Sequence, residues 1–285
     1  MGGSDTHNTM TTAWFQHLTE MGLRPYVATA RHQLSALALE GAGPDPLMFY
    51  LEDADARAFH SAYNTANALA FGARDLTMPG WVYIDCVLMQ TAVVGFAAPK
   101  EQVPSRLLKE FGPVVEALDW VPVSGQTASP AIDGKTLVGF SLFSLRSYWP
   151  ELPALGLATK GLALEVYNAR TYDRFLGITQ YDNPALAMHG RFGKSVEIIS
   201  ARVPLHAQGQ SSLVYGMKIN FDPARLDEVP DAQQAPDFWI DHQDPDTITR
   251  VETGIAAGQR YFILPPFQVR EGGKVKLPIA EEKAA

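Results

Sequence analysis

Cysteine is almost missing from this chain. One residue, Cys86, among 285 excludes an intramolecular disulfide framework and any zinc site built on several thiolates. Cys86 sits inside an apolar run, where a small buried hydrophobe is its expected role. Positive charge is also short: 23 Lys and Arg against 31 Asp and Glu leave a formal net charge of −8. No lysine- or arginine-rich stripe offsets that balance, so nucleic acid is not expected as a partner. No uncharged run reaches the roughly 18 residues a membrane span needs, and Met1 to Met10 lack the apolar centre of a secretion signal. No membrane partner is therefore expected, and the cytoplasm is the expected location.

Several motifs are absent as well. No GxGxxG follows a predicted strand and no GxxxxGK[ST] occurs, so dinucleotide and nucleoside triphosphate binding have no basis in the sequence. Neither a GxSxG elbow nor an HExxH pair is present. The acidic run Asp241-His242-Gln243-Asp244-Pro245-Asp246 lacks the glycine and the terminal glutamate of a calcium loop. The 7 histidines are scattered. No metal and no redox cofactor are implied.

What is present is a globular composition, 46% apolar and 19% charged, long enough for one large domain. Loose tails are expected at residues 1–11 and 272–285, with a single domain over residues 12–271. Its first part, to about residue 75, reads as helical. Trp14, Phe15, Leu18 and Met21 recur at helical spacing, and a second helix is expected over Ala28 to Leu39, closed by Glu40-Gly41-Ala42-Gly43-Pro44. The clearest helix runs from Ala54 to Phe71, with Asp53 or Asp55 at its start and Gly72 as a left-handed stop. Phe59, Tyr63, Ala66 and Ala70 line its apolar face.

From about residue 80 to 270 strands dominate. Trp81 to Ala98 reads as one long strand, followed by a short helix over Val103 to Gly112. Asp133-Gly134 between Gln126–Ile132 and Thr136–Ser144 is a hairpin signal. Phe192-Gly193-Lys194 and Gln208-Gly209-Gln210 precede further strands at Val196 to Val203 and Ser212 to Phe221. Pro223 to Pro245 reads as a surface excursion and Arg260 to Leu264 as a last strand. The expected class is α+β: N-terminal helices followed by a mostly antiparallel β-sheet or β-barrel.

Chemistry concentrates around Lys160. Gly156-Leu157-Ala158-Thr159-Lys160-Gly161 is a small-residue turn with a lysine in apolar surroundings. After it Leu162, Leu164 and Val166 alternate with Ala163, Glu165 and Tyr167, a period of two that predicts a strand with Lys160 at its entrance on the leucine side. Burial there disfavours the ammonium form and frees the amine to attack a carbonyl. A carboxylate must then move protons, and Glu165, Asp85 and Glu151 are the candidates. Arg146 can hold a substrate carboxylate through its planar fork. Tyr148, Trp149, Tyr167, Tyr172 and Tyr181 can line an apolar cavity, which leaves open a non-catalytic binding barrel for a small ligand.

Two family resemblances meet on this segment. Val93-Val94-Gly95-Phe96-Ala97-Ala98-Pro99, leading into Val103-Pro104-Ser105-Arg106-Leu107-Leu108, resembles the acetoacetate decarboxylase-like superfamily. Gly139-Phe140-Ser141-Leu142-Phe143 followed by Gly156 to Lys160 is similar in order to that family's lysine segment, with Thr159 where the family has proline. Over roughly residues 80–220 the resemblance implies a β-rich barrel, often oligomeric, and a lyase acting on a small keto acid or ketone through a Schiff base on Lys160. Leu155-Gly156-Leu157-Ala158-Thr159-Lys160-Gly161 also resembles the pyrophosphate loop of the GNAT acyl-CoA-dependent N-acetyltransferases. Asp182-Asn183-Pro184-Ala185-Leu186 through Arg191-Phe192-Gly193 is similar to the asparagine-led helix of the same family. That resemblance implies amide hydrogens cradling phosphate, with Lys160 a peripheral phosphate contact. The two readings differ on residues 161–168: the lyase reading expects a strand, the acyltransferase reading a helix.

Overall fold

A computed structural model describes residues 13–43, 45–72, 76–89, 91–153, 155–193, 195–204, 211–220, 228 and 234–282. The expected tail at residues 1–11 and the Gln208-Gly209-Gln210 turn lie outside them, as do Lys194 and much of the Pro223 to Pro245 excursion. The chain forms two compact units. The first takes the residues up to Ala70, Met78–Thr127 and Ser141–Asn168; the second takes Phe71–Thr77, Ala128–Phe140 and Ala169 onward.

In the first unit the chain runs through α1 (Ala13–Glu20), β1 (Arg24–Thr29), β2 (Leu47–Tyr50), α2 (Ala56–Phe71), α3 (Gly80–Leu88) and β3 (Val93–Pro99). It continues through α4 (Ser105–Phe111), β4 (Trp120–Pro122), the start of β5 (Ser124–Pro130), the end of β6 (Thr136–Ser144) and α5 (Leu155–Val166). β1 pairs parallel with β2 and antiparallel with β3, which also pairs with β4 and β5. β1 and β3 are buried along nearly their whole length, the condition in which a strand loses its polar–apolar alternation.

The second unit adds β7 (Arg174–Gln180), α6 (Ala185–Gly190), β8 (Val196–Ser200), β9 (Ser212–Met217), β10 (Phe238–Asp241), α7 (Pro245–Ala256), β11 (Arg260–Ile263), β12 (Val269–Glu271) and β13 (Lys274–Glu282). β6 and β7 run parallel, and the ladders β7–β9, β9–β8, β8–β11, β11–β13 and β13–β10 are antiparallel. The α+β class with a mostly antiparallel sheet therefore holds. A closed barrel does not: β2 in the first unit and β10 in the second each have one strand neighbour among the described residues. No helix among the described residues is long and apolar enough to cross a membrane.

Several sequence expectations need correction. Ala28 to Leu39 is not a helix but the end of β1 and a 3-10 turn, Arg31–Ala36. Trp81 to Ala98 is not one strand but helix α3 followed by β3. In α3 Val82, Tyr83, Cys86 and Val87 are buried, a spacing of one and four that belongs to a helix. Residues 272–285, expected as a tail, hold the whole of β13, which pairs with β10, β11 and β12. Gly72 is not among the glycines in the left-handed region. Helix α7 falls in a stretch for which no helix was expected. Asp244 starts it by accepting the Asp246 N–H at 2.9 Å, with Pro245 at the first position where its missing N–H costs nothing.

Other elements fall where the sequence puts them. The Asp133-Gly134 hairpin forms, with Gly134 at φ +63°. The Asp133 carboxylate accepts the N–H groups of Lys135 and Thr136 and the Thr136 hydroxyl. Those bonds, the Lys135 amide foremost, hold its pKa below the ordinary carboxylate range. α2, α4 and the strands β8, β9 and β11 likewise match their expected spans within a few residues.

Strands β3 and β5 pack closely where they meet at Gly95 and Gly125. A Cβ on Gly95 would overlap the Ser124 carbonyl and the Tyr26 hydroxyl, and one on Gly125 would lie 2.5 Å from Tyr63 Cε2. Gly95→Ala is therefore expected to lose about 1–3 kcal/mol of stability through overpacking. Chemical denaturation checks this, and an unchanged midpoint would show that the strands are not held this closely.

Candidate functional site

Helix α5 starts just after Pro153 and is made largely of alanine and leucine, good helix formers. It ends where Asn168 turns left-handed at φ 50°, with the Asn168 N–H donating to the Glu165 carbonyl at 2.9 Å. Residues 161–168, expected as a strand, are thus helix through Val166. Ten of the twelve α5 residues are buried. A helix apolar on every side has no polar stripe to show a 3.6-residue period, so the short leucine–alanine alternation reads as a strand.

Lys160 is buried in the body of this helix at 1% exposure, not at a strand entrance. Burial drives its pKa well below the ordinary lysine value. Beside it, Thr159 donates its hydroxyl to Ser124 Oγ at 2.7 Å. The same oxygen accepts the Phe96 N–H at 3.1 Å, and the Ser124 carbonyl accepts the Tyr26 hydroxyl at 2.9 Å. One serine on β5 so joins β1, β3 and α5.

The other expected site residues separate around this point. Tyr167, about two turns beyond Lys160, is buried, and its hydroxyl donates to the carbonyls of Ala92 at 2.8 Å and Gln126 at 3.1 Å. Its role is to fasten the end of α5. Glu165 is five residues from Lys160, about 140° around the helix axis. It is half-buried against Gly41, where an added Cβ would lie 2.7 Å from Glu165 Cβ. Asp85 is exposed on α3, Arg146 is exposed in the turn Leu145–Ser147, and Glu151 is exposed as well. The helix thus carries Lys160 and Tyr167 on one side and turns Glu165 away.

A polar cluster that the sequence reading passed over lies between α2 and the strands β5 and β6. Asn67 Nδ2 donates to Ser141 Oγ at 2.7 Å, and Asn67 Oδ1 accepts the Met78 N–H at 2.9 Å. The buried Tyr63 hydroxyl is near Thr127 and Ser141 but makes no hydrogen bond of ordinary geometry. Burial raises the pKa values of Tyr26, Tyr63 and Tyr167 well above the usual phenol range. The available signal was Asn67, which continues the Phe59, Tyr63, Ala66 face of α2; a buried amide in such a stripe needs partners. Beside Tyr83 a small hollow lies between Thr29, Phe49, Tyr50 and Val87. Among the described residues no three His, Cys, Asp or Glu side chains gather where a metal could be held.

No protein-family model matches the chain, and no curated protein does. Among solved structures the chain is similar to the crystal structure of nourseothricin acetyltransferase, at 14% identity and a TM-score of 0.31. The match covers 44% of this chain and 64% of that one, less than two thirds of its length. A likeness this slight carries no argument about activity.

The burial of Lys160 has a consequence for stability. Between its lowered pKa and the ordinary value of about 10.4, the unfolded chain binds a proton that the folded chain does not, so stability rises with pH across that window. Lys160→Met removes the penalty. Its gain over the parent protein is expected to shrink by about 1.4 kcal/mol per pH unit as pH rises through the window. Denaturation at pH 8 and 9.5 measures the gap; a gap that does not change with pH would mean the amine is ordinarily solvated.

Proposed function

We propose that the chain is an acyltransferase that uses an acyl-coenzyme A thioester as donor, the activity implied by its GNAT resemblance. The observation that carries the proposal is that Leu155–Val166 is a helix inserted between two strands, β6 and β7, that pair parallel. Parallel strands need such a crossover, and its first-turn amides follow the carboxyl end of the leading strand, where α/β proteins place anions. On that approach Arg146 is exposed, and Arg106 donates to the Tyr148 carbonyl at 2.7 Å. A guanidinium group suits phosphate oxygens. Lys160, buried, is then a core residue of the helix and not a phosphate contact. The second half of the resemblance has support too: Asn183 Oδ1 accepts the Ala185 N–H at 3.0 Å and opens α6.

In the reaction an acceptor amine attacks the thioester carbonyl. The C–N bond forms, the C–S bond breaks, and the amine proton passes to solvent or to the departing thiolate. The protein's part is to bind and orient the donor. One observation favours a second reading, a Schiff-base lyase acting on a small keto acid: the desolvated amine of Lys160.

The two readings separate in one experiment. Coenzyme A or acetyl-coenzyme A is expected to raise the melting temperature in proportion to the logarithm of its concentration. Gly156→Asp, which sets a carboxylate at the first turn, is expected to weaken binding about tenfold, the effect of about 1.4 kcal/mol. No shift at millimolar coenzyme A, together with a borohydride-reducible keto-acid adduct on Lys160, would reverse the choice.

A further inference from the structure

An antiparallel sheet with helices on one face ordinarily turns polar residues to water on the other. In the second unit α6 and α7, its helices among the described residues, lie on one side of the strands. His189 of α6 stacks on Tyr215 at 5.0 Å, and a Cβ on Gly254 of α7 would overlap the Tyr261 hydroxyl. The ladder register puts Tyr215, Ile198, Val196, Ile263 and Tyr261 on that same side.

The opposite side of this sheet is apolar where polar residues are expected. Leu176 pairs with Gly216, Gly216 with Glu197 and Glu197 with Phe262, so these four project together. Two residues along, Ile178 and Val214 pair on the same side, with Ile199 beside them. A Cβ on Gly216 would lie 3.0 Å from Leu176 Cδ2 and 3.1 Å from Ile199 Cδ1, so these side chains close over the glycine as one surface. Phe140, two residues past the Val138–Leu176 rung, belongs to it too. Phe140 and Ile178 are left 51% and 45% exposed, and Leu176, Val214, Ile199 and Phe262 are half-buried.

Charge on this face keeps to two opposite corners. Arg174, two residues before Leu176, and Lys218, two after Gly216, are exposed at one. At the other, Arg260 stacks on the Phe262 ring at 4.8 Å. It is held between Glu197 at 2.9 Å and Glu282 at 2.7 Å, which leaves one negative charge over.

We infer that this face is covered by the same face of a second copy of the chain, sheet against sheet. A two-fold axis running diagonally through the apolar residues sets Ile178 against its own copy. It carries the Arg174 and Lys218 corner of each copy over to the Glu197 corner of the other, so opposite charges meet and like charges stay apart. Five strands about 4.8 Å apart and three rows of side chains span about 24 by 18 Å. That is about 400 Å² in projection and more by accessible surface, near the roughly 600 Å² per partner below which interfaces are weak. A dimer that forms at micromolar concentration fits that size.

Sedimentation velocity of the full chain from about 1 to 200 µM tests this. The mass is expected to rise from one chain toward two across that range. Ile178→Lys, which sets two ammonium groups together on the axis, should weaken association at least about tenfold. Its melting temperature at high dilution should stay that of the parent, since the side chain is exposed, and Ile178→Ser serves if the lysine variant does not fold. Arg174→Glu should weaken association several-fold. A parent chain that stays monomeric throughout overturns the dimer and leaves the face to a partner of another kind. Association undiminished in the Ile178 variants overturns it as well, and association undiminished in Arg174→Glu overturns the two-fold arrangement.

Discussion

The first unit depends on what converges at Ser124. Its hydroxyl oxygen receives Thr159 from α5 and the Phe96 amide from β3, and its carbonyl receives the Tyr26 hydroxyl from β1. All of these groups are fully or almost fully buried. A buried polar group without a partner costs about 1–3 kcal/mol, so each of these bonds must form once the surrounding apolar surface closes. Gly95 and Gly125 are glycines because this junction leaves no room for a Cβ. The packing that buries Thr159 also buries its neighbour Lys160, so the amine's lowered pKa follows from how α5 is docked.

Seating α5 as a helix changes what its lysine can mean. In a strand, alternation would have set Lys160 at the mouth of a sheet, with Glu165 placed by its neighbours there. On a helix, Glu165 turns toward Gly41 and the Ala38–Ala42 segment, where the Ala38 N–H donates to the Val166 carbonyl at 2.9 Å. The lysine then belongs to the interior of a crossover helix. On the acyltransferase reading the features suited to a ligand shift to that helix's first turn.

How far the sequence was legible depended on burial. Half-exposed or punctuated elements read correctly: α2 with its apolar face, α4 with Gly112 turning at φ +62° to end it, and the Asp133-Gly134 hairpin. Elements buried on most sides read wrongly. In α3 the sequence Val82-Tyr83-Ile84-Asp85-Cys86 alternates by accident, while tertiary packing decides in favour of a helix with Trp81 and Asp85 outward. α5 failed for the same reason, since solvent imprints a period only on a face it touches. Of the candidate site, the burial of Lys160 was legible. The separation of Glu165 was not, because it follows from the helix.

Helix α5 is fixed to β5 through Thr159 and Ser124. A double-mutant cycle with Thr159→Val and Ser124→Ala, read by equilibrium denaturation, tests it most directly. A coupling energy of about 1–2 kcal/mol between the two positions is expected, as for buried hydrogen-bonded partners. Additive effects, with no coupling, would contradict it.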